Sequence, residues 1–459
     1  MNQQPNLLDS VQRLHFVGIG GSGMCPMAEI LLRRGYQITG SDQNESDTLE
    51  RVKSWGIPVY LGHRAENIQG AQAVVYTAAC KPDNPELAAA RAAGVPTLER
   101  SVMLGMLTRR YPQLVAVSGT HGKTTTTAML AQILYQAGQD PSAIIGGKLP
   151  LVDSNCLVGQ SGTMVCEACE YVDTFLQLAP AISLILNIEP DHLDYFGTLE
   201  NIVRSFRQFA TQTTRRLIVN GADPQAMEAA AGQAGKELLT FGPDSRFDYY
   251  PTGLSEEPTA CEAFTLMFRG QPLGRVQLAV PGRHNMLNAL AAAAAAHSLG
   301  VAPGDICAAL GQFTGVHRRF EVLGKFRGVT VADDFAHHPT ELTAVLSSAM
   351  RMGYREVWAV FQPHTFSRTY TFLEDFARAL SIPQHLVMTE ILAVREENTW
   401  NIHTSDLAAK VPGSRWFGSF QEIAAYVMAH AQPGDLILTL GGGDIYQCAN
   451  LIVKQYQAE

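Results

Sequence analysis

An apolar strand followed by a glycine-rich turn and a helix occurs twice in this chain, and this pattern restricts the fold more than any other feature. Leu14–Val17 precedes GIGGSG and a predicted helix over Met27–Leu32. A second strand over Leu114–Ser118 precedes GTHGK and a predicted helix over Thr124–Ala137. Further apolar strands begin at Val329–Ala332. Because alternating strands and helices build parallel sheets covered by helices, we predict an α/β protein.

The length of 459 residues allows about three domains. We place them at 1–110, 111–322 and 323–459. The first and third are predicted to be Rossmann-like, and the second is predicted to be a P-loop ATPase domain with a mixed sheet. Its mixed character is expected because Ala263–Phe268 and Arg275–Val280 alternate like antiparallel strands. In the helix after GTHGK, apolar residues recur at helical spacing and predict one core-facing stripe.

Composition excludes several classes of protein. A net charge of −9 argues against a nucleic-acid binder, and the eight cysteines without regular spacing indicate reduced thiols. The N-terminus lacks the pattern of a signal peptide. The apolar run Ala289–Ala296 is far shorter than the roughly 20 residues of a membrane span, so it indicates a buried helix. We expect a cytoplasmic protein without nucleic-acid or membrane partners.

The first glycine loop satisfies the dinucleotide-binding pattern through Gly18, Gly20 and Gly23, with Asp42 about twenty residues further on. Its direct interpretation is an NAD site in which Asp42 binds a ribose hydroxyl. The diphosphate of any sugar nucleotide satisfies the same physics, however, and a tight turn without ligand is the plainer alternative. The loop therefore indicates a pyrophosphate and leaves the rest of the ligand open.

The second glycine loop departs from the usual phosphate-binding pattern, because Val117 stands where that pattern has its first glycine. Gly119 and Gly122 still bracket a tight turn between a strand and a helix. Lys123 can reach terminal phosphates, and Thr124 can place its hydroxyl on Mg²⁺. We predict an ATP site. Two phosphate sites argue against a simple dehydrogenase and indicate that ATP acts on a second, phosphate-bearing substrate.

Several motifs together resemble the Mur ligases of peptidoglycan synthesis, and the resemblance covers essentially the whole chain. They are GTHGKTT (119–125), EACEYVDTFL (167–176), NIEPDHLDYFG (187–197) and PGRHNMLNA (281–289). A second set is most similar to the branch that attaches L-alanine to UDP-N-acetylmuramate. It comprises HFVGIGGSGM (15–24), GVHRRFE (315–321), DDFAHHPTEL (333–342), FQPHTFSRT (361–369) and LGGGDIY (440–446).

This resemblance implies an ATP-dependent carboxylate–amine ligase. The sugar carboxylate takes the γ-phosphoryl group to become an acyl phosphate, and the amine of L-alanine then displaces phosphate. The implied cofactors are ATP and Mg²⁺, with Mn²⁺ as an alternative ion, and the implied assembly is a monomer or homodimer. Because an anionic carboxylate must approach a triphosphate, the site needs concentrated positive charge.

The resemblance also implies site residues. The catalytic set is Lys123, Glu167 and His192, and the metal ligands are Thr124, Glu167 and His192. ATP-binding residues are Gly119, Thr120, His121, Gly122, Lys123, Thr124, Thr125, His284, Asn285, Asn288, Arg318 and Asp334. UDP-sugar-binding residues are Gly18, Gly20, Gly21, Gly23, Ser41 and Asp42. Amino-acid-binding residues are His337, His338, His364 and Arg368.

Plainer interpretations of these residues stay open. His192 alone could be a hydrogen-bonded loop histidine, Arg318 and Arg319 a solvated pair, and His337 and His338 ordinary hydrogen bonders. The pair Cys166 and Cys169 is weak evidence for a metal thiolate. Residues 193–214 contain no lysine that could be carbamylated as in the ligases that add later amino acids, so the resemblance leaves the place of a second metal site open.

Three other functions compete with this one. A ligase that attaches a preformed tripeptide to the same sugar nucleotide fits many of the same motifs, although FQPHTFSRT favours the L-alanine enzyme. An NAD-dependent dehydrogenase leaves GTHGKTT, Glu167 and His192 unexplained. A non-catalytic, nucleotide-gated binding protein does not need the metal-centred set of residues.

Overall fold

The computed structural model describes residues 6–256, 260–394 and 396–458. Three sheets follow one another along the chain, which confirms the predicted α/β class. The described chain groups into two compact units. The first unit comprises the residues up to Tyr250 together with Met267–Gln271 and Asn288–Ala309, and the second comprises the remainder. The domain boundaries at 110 and 322 stay predictions.

The first sheet lies in the first unit and is parallel throughout, with the strand order β3-β2-β1-β4-β5. The strands are β1 (Arg13–Val17), β2 (Gln37–Asp42), β3 (Val59–Leu61), β4 (Ala73–Tyr76) and β5 (Thr97–Glu99). The helices are α1 (Cys25–Arg33), α2 (Asp47–Ser54), α3 (Pro85–Ala92) and α4 (Arg100–Thr108), with 3₁₀ turns at Leu7–Asp9 and Ala65–Ile68. Strand order reverses beside β1, so the first glycine loop lies at a switch point, where open α/β sheets bind ligands.

The second sheet also has its centre in the first unit. Its strands there are β6 (Gln113–Ser118), β7 (Ser142–Leu149), β8 (Ser154–Leu157), β9 (Thr163–Glu167), β10 (Ile182–Ile185), β11 (Arg216–Asn220) and β12 (Glu237–Phe241), in the order β12-β11-β10-β6-β9-β7-β8. Strand β8 is antiparallel to β7 and the others are parallel, so the predicted mixed sheet is confirmed.

Six helices accompany this sheet. They are α5 (Lys123–Gln136), α6 (Leu193–Phe196), α7 (Leu199–Gln212), α8 (Pro224–Ala230), α9 (Arg283–Ser298) and α10 (Pro303–Gly311), with 3₁₀ turns at Pro150–Val152 and Tyr171–Gln177. The prediction of a single core-facing stripe on α5 is wrong, because every residue from Thr126 to Leu134 is buried. Gln132 on this helix donates to the carbonyl of Ala309, so α5 is covered on more than one side. The alanine run in α9 is fully buried, as predicted.

Three further strands follow along the chain: β13 (Tyr249–Glu256), β14 (Cys261–Phe268) and β15 (Gln271–Pro281), with β14 between the other two. Only Arg269 and Gly270 separate β14 from β15. Both have positive φ, 47° and 82°, which is the geometry of a type I′ hairpin turn. Two residues cannot span a parallel crossover, so this pair is antiparallel, as predicted.

The third sheet lies in the second unit. Its strands are β16 (Glu321–Phe326), β17 (Val329–Asp334), β18 (Val357–Phe361), β19 (His385–Met388), β20 (Arg415–Trp416) and β21 (Leu436–Leu440), in the order β16-β17-β21-β18-β19-β20. Its helices are α11 (Pro339–Arg351), α12 (Phe366–Thr371), α13 (Leu373–Leu380), α14 (Thr404–Lys410), α15 (Phe420–His430) and α16 (Tyr446–Ala458). Every residue of β17, β18 and β21 is buried, because apolar clusters cover both faces of the sheet.

Two predictions from composition can be compared with the described residues. All eight cysteines are free thiols. In the part of the chain that the structure describes, no helix combines the length and the apolar character that a membrane span requires.

Candidate active site

The first glycine loop follows β1 and is held by internal hydrogen bonds. Gly18 has φ +80° and donates its N–H to the carbonyl of Ser41, and Gly21 donates to Gly18. The Asp42 carboxylate accepts the N–H of Gly20 at 3.0 Å. The predicted residues of this loop therefore lie together at the carboxyl edge of the first sheet, and Asp42 shapes the loop from the end of the next strand.

Ser41, also predicted to bind the UDP-sugar, is fully buried. Its hydroxyl donates to the carboxylate of Glu86 at 2.7 Å, and the same carboxylate lies 3.0 Å from His63 Nδ1 and accepts from Asn67 at 2.5 Å. Burial alone would raise the pKa of Glu86, but interactions with His15, Ser41 and Asn67 outweigh it and lower that pKa. Ser41 thus anchors a buried carboxylate beneath the loop.

The second glycine loop is tied to the segment that follows β10. Asn187 Oδ1 accepts the N–H of His121 at 2.7 Å, and the amide of Asn187 donates to the His121 carbonyl. The hydroxyl of Thr120 accepts the N–H of Glu189 at 2.9 Å. Gly119 has φ +139°, and a Cβ there would lie 2.9 Å from Leu186 Cβ, so only glycine fits. The loop is a rigid turn that leads directly into α5, whose first three residues include Thr125.

Lys123 points back over its own loop. Its Nζ donates to the carbonyls of Gly119 and Thr120 at 2.5 and 3.0 Å and to both carboxylate oxygens of Glu170 at 3.0 and 2.9 Å. Glu170 is buried, with 2% of its surface exposed. Burial would lower the pKa of Lys123, but the charge of Glu170 outweighs that effect and raises it. The ammonium is therefore charged and pre-placed beside the phosphate-binding turn.

Thr124 and Glu167 face a common point, and Gly146 on β7 leaves room there. A Cβ on Gly146 would lie 2.5 and 2.7 Å from the two carboxylate oxygens of Glu167 and 2.8 Å from Thr124 Oγ1. The N–H of Gly146 donates to Glu167 at 2.5 Å. A hydroxyl and a carboxylate converging on one cradle are the oxygen ligands that Mg²⁺ prefers, so these residues fit that ion.

His192, the third predicted metal ligand, lies at the start of α6 with φ 52°. Its backbone N–H donates to the Asp191 carboxylate at 2.8 Å, and its ring centroid lies 4.5 Å from that of Tyr171. Val172 and Asp173 also have positive φ, 52° and 55°. Non-glycine residues rarely adopt this conformation, and such strain concentrates at functional sites.

The structure brings Asn288 to the second glycine loop. A Cβ on Gly122, which has φ +86°, would lie 2.5 Å from Asn288 Oδ1. In the second unit, Asn285 donates to the carbonyl of Pro281 at 2.8 Å. His284 lies at the start of α9, and desolvation lowers its pKa to about 4. It is therefore neutral at pH 7.

Arg318, predicted to bind ATP, is engaged within the second unit. Its Nε donates to the Asp333 carboxylate at 2.9 Å, and its two terminal nitrogens donate to the carbonyls of Gly443 and Gly441 at 2.9 and 2.8 Å. The guanidinium lies 4.9 and 4.8 Å from two ring centroids, those of Phe335 and Tyr446. Arg318 therefore joins the loops at the carboxyl ends of β17 and β21.

Arg319 differs from its neighbour. Its guanidinium packs 5.2 Å from the ring of Phe335, and no hydrogen bond or ion pair of that group occurs within the described ranges. Asp334 accepts the N–H groups of Phe320 and Ala336, both at 2.7 Å. Burial raises the pKa of Asp334 to about 6, although Arg319 opposes the shift. The sequence singled out the first arginine of the pair, and the structure leaves the second one available.

We expect the raised pKa of Asp334 to appear in the pH dependence of stability. A carboxyl whose pKa is about 6 when folded and 3.8 when unfolded adds stability at low pH. That contribution, about 3 kcal/mol, is complete below the unfolded pKa and is lost as the pH rises to about 6. Urea unfolding of wild type and Asp334→Asn from pH 4 to 7.5 measures it. The difference in unfolding free energy between the two proteins should change across this window, and a constant difference would contradict the assignment.

Three of the four residues predicted to bind the amino acid lie together. The ring centroids of His337 and His364 are 5.5 Å apart, and Arg368 Nη1 donates to His364 Nδ1 at 3.3 Å. Burial, with the charge of Arg368, lowers the pKa of His337 to about 4. His338 is placed differently: it caps the N-terminus of α11, where Nδ1 accepts the N–H of Thr340 at 3.4 Å.

The C-x-x-C pair does not have the character of a metal site. Cys166 lies inside β9 and is fully buried, which raises its pKa to about 12, and the pKa of Cys169 is also raised. Thiolates are the form that binds metals. Both thiols are therefore protonated at pH 7, as the weak sequence signal indicated.

Comparison with family models covers most of the chain. Residues 13–112 match the model described as Mur ligase family, catalytic domain. Residues 117–296 match the Mur ligase middle domain, and residues 318–443 match the Mur ligase, glutamate ligase domain. The chain belongs to the Mur ligase family.

Individual Mur ligases resemble the chain over nearly its full length. The UDP-N-acetylmuramate--L-alanine ligase of Agathobacter rectalis is 43% identical over 449 residues, which is 96% of this chain and 98% of that protein. The enzyme of the same name from Acetivibrio thermocellus is 40% identical and covers 99% of each chain. The crystal structure of UDP-N-acetylmuramate-alanine ligase from Thermotoga maritima superposes with a TM-score of 0.82 at 29% identity, over 97% of this chain and 99% of that one.

A murein peptide ligase from Psychrobacter arcticus is also similar, with a TM-score of 0.74 at 25% identity over 97% of this chain and 98% of that one. Within this Mur ligase, sequence reasoning missed Gly146, Glu170 and Glu86. Glu170 stands inside the quoted motif EACEYVD, and Gly146 begins a Gly-Gly pair in a strand, where glycine marks a close approach. These two signals could have found Glu170 and Gly146, whereas no local signal marks Glu86.

Proposed function

We propose that this chain joins L-alanine to the carboxylate of UDP-N-acetylmuramate, with ATP converted to ADP and phosphate. The observation that carries the proposal is the arrangement at the second glycine loop. A charged lysine lies beside the phosphate-binding turn, and a hydroxyl and a carboxylate converge on one cradle at Gly146. The identity of 43% to a UDP-N-acetylmuramate--L-alanine ligase over nearly the whole chain supports these substrates.

In the first unit, the loop around Gly119 and Gly122 would cradle the ATP phosphates. Lys123 would exchange Glu170 for phosphate oxygens and neutralise charge on the γ-phosphoryl group. Thr124 and Glu167 would hold Mg²⁺, which when bound spreads the remaining phosphate charge. His192 completes the proposed ligand set. The chain itself supplies orientation and fixed positive charge, the two contributions that dominate phosphoryl transfer.

In the second unit, we assign the nucleotide-binding cation to Arg319. Each nitrogen of the Arg318 guanidinium donates to Asp333 or to a backbone carbonyl, whereas the Arg319 guanidinium makes no hydrogen bond or ion pair within the described ranges and acts electrostatically on Asp334. His364 and Arg368 would bind the carboxylate of L-alanine through charge-assisted hydrogen bonds. In this proposal His338 contributes as the cap of α11.

The glycine loop after β1 would bind the diphosphate of the UDP-sugar. Its closed turn and its place at the switch point of a parallel sheet support this role. We place the reaction in the cytoplasm, since all eight thiols are free.

Phosphate release tests the proposal. Purified protein is mixed with ATP, Mg²⁺ and UDP-N-acetylmuramate, and single amino acids are added in turn. Phosphate should appear only when the sugar nucleotide and L-alanine are both present, and omission of either should return the signal to background.

Other outcomes of this experiment would support one of the competing functions. Release with the tripeptide L-alanyl-γ-D-glutamyl-meso-diaminopimelate, but not with L-alanine, would identify a tripeptide ligase. Binding of ATP without phosphate release under any combination would leave a nucleotide-gated binding protein. NADH is the control ligand for the dehydrogenase interpretation, and we expect it not to bind.

A further inference from the structure

We propose that Arg100 is a further UDP-sugar-binding residue, whose guanidinium binds the diphosphate at the first glycine loop. The inference rests on the proposed function, because it deepens the sugar-nucleotide site. Arg100 begins α4, directly after β5, and therefore lies at the same carboxyl edge of the sheet as the loop after β1.

The side chain of Arg100 lies along Gly23. A Cβ built on Gly23 would be 3.0 Å from Arg100 Nη1, 3.2 Å from its Cδ and 3.5 Å from its Cζ. The strand order places β5 two positions from β1, a separation of roughly 10 Å. Only a long side chain can bring a cation from β5 to the loop after β1.

This contact leaves little room for a side chain at position 23. Gly18 has φ +80°, a conformation that favours glycine, whereas φ of Gly23 lies outside that left-handed range. The backbone at position 23 therefore accommodates other residues. What a larger residue would disturb is the guanidinium, so Gly23 provides the space in which Arg100 approaches the loop.

Arg100 is also available to bind a ligand. Within the described ranges, its guanidinium takes part in no hydrogen bond or ion pair, and it is partly buried. Most donors of the loop are already used: Gly18 and Ile19 donate to the carbonyl of Ser41, and Gly20 donates to the carboxylate of Asp42. The loop that the motif predicts for a pyrophosphate would thus contribute few N–H groups of its own.

The negative charge at the first glycine loop also favours a cation there. A diphosphate carries two negative charges or more, and the carboxylate of Asp42 already lies 3.0 Å from the loop nitrogen of Gly20. A site of this kind needs a cation to offset that repulsion. Arginine suits phosphate oxygens, because its fixed fork donates two parallel hydrogen bonds.

The test compares two ligands that differ only in the diphosphate. Affinities of UDP and uridine are measured by calorimetry without ATP, so that turnover is not involved. We expect Arg100→Gln to lower the affinity for UDP about 10- to 100-fold, since hydrogen bonds to charged groups contribute about 1.5–3 kcal/mol. The affinity for uridine should stay within about twofold of wild type. The KM for UDP-N-acetylmuramate should rise by a similar factor, while kcat and the KM for ATP stay near wild type. Arg100→Lys should fall between the two.

Two further variants sharpen the result. Arg13→Gln removes an exposed arginine at the opposite, amino-terminal end of β1 and should leave both affinities unchanged. Gly23→Ala should weaken UDP to a similar degree as Arg100→Gln, and the double variant should be no weaker than either, because both changes remove one contact.

The possible failures are distinguishable. The role of Arg100 would be overturned if Arg100→Gln bound UDP within twofold of wild type, or if it lost affinity for UDP and uridine equally. Either result would leave the proposed ligase activity unaffected. Wild-type protein that binds neither UDP nor UDP-N-acetylmuramate would overturn the proposed function together with this inference.

Discussion

Lys123→Ala is expected to lower phosphate release at least about a thousandfold, because it removes the cation next to the phosphate-binding turn. The same change is expected to destabilise the first unit. Glu170 is 2% exposed, and its only described charged partner is Lys123, so alanine leaves a buried carboxylate without its counter-ion. Breaking such a pair costs about 3–5 kcal/mol. Initial rates measure the first effect, and urea unfolding measures the second.

The matched control is the double variant Lys123→Ala with Glu170→Gln. It removes the stranded charge, so most of the lost stability should return while activity stays absent. Equal instability in the single and double variants would show that Glu170 is not the cause. A single variant that retains a tenth or more of the wild-type rate would contradict the placement of Lys123 in phosphoryl transfer.

Gly146→Ala is expected to lower the rate about a hundredfold and to raise the Mg²⁺ concentration for half-maximal activity. The added methyl would lie 2.5–2.8 Å from the oxygens of Glu167 and Thr124 and must push them apart. Titration of Mn²⁺ with nucleotide present, followed by electron paramagnetic resonance, measures binding of the ion apart from turnover. The variant should bind Mn²⁺ at least about tenfold more weakly.

Gly304→Ala is the control for this experiment. It makes the same change on α10, where a Cβ would meet no atom within 4 Å, and it should leave rate and ion binding unchanged. If Gly146→Ala binds Mn²⁺ as wild type does, the oxygens of Thr124 and Glu167 do not form the cradle.

Local signals predicted the scaffold well. The strand over Val357–Phe361 has the predicted ends, and α5 begins within one residue of its prediction. The local sequence determines where such strands and helices end, because an apolar run stops at glycine or at polar residues. The strand predicted to end at Ala332 continues through Asp333 and Asp334. Both aspartates are buried, and two of their hydrogen-bond partners, Arg318 and Phe320, lie on another segment that the local sequence does not reveal.

Partners that are distant in sequence could not be predicted in this way. Gly146 meets a carboxylate 21 residues away, and Lys123 pairs with Glu170 across 47 residues. Nothing in the spacing of the phosphate loop fixes either contact. The sequence also could not show which arginine, Arg318 or Arg319, is held by hydrogen bonds. Arg318 adopts φ +61°, and the direction of its side chain follows from that turn.

The pairing of Lys123 with Glu170 has a consequence for inhibitors. A compound that mimics triphosphate must displace a carboxylate that is already held at 2.9 Å, so its measured affinity is its contact energy less the cost of opening that pair. A neutral compound that donates to Glu170 and accepts nothing from Lys123 would instead leave the pair closed. The loop with this pair closed therefore favours a different chemistry from the loop with the pair open, and screening against each arrangement should select different compounds.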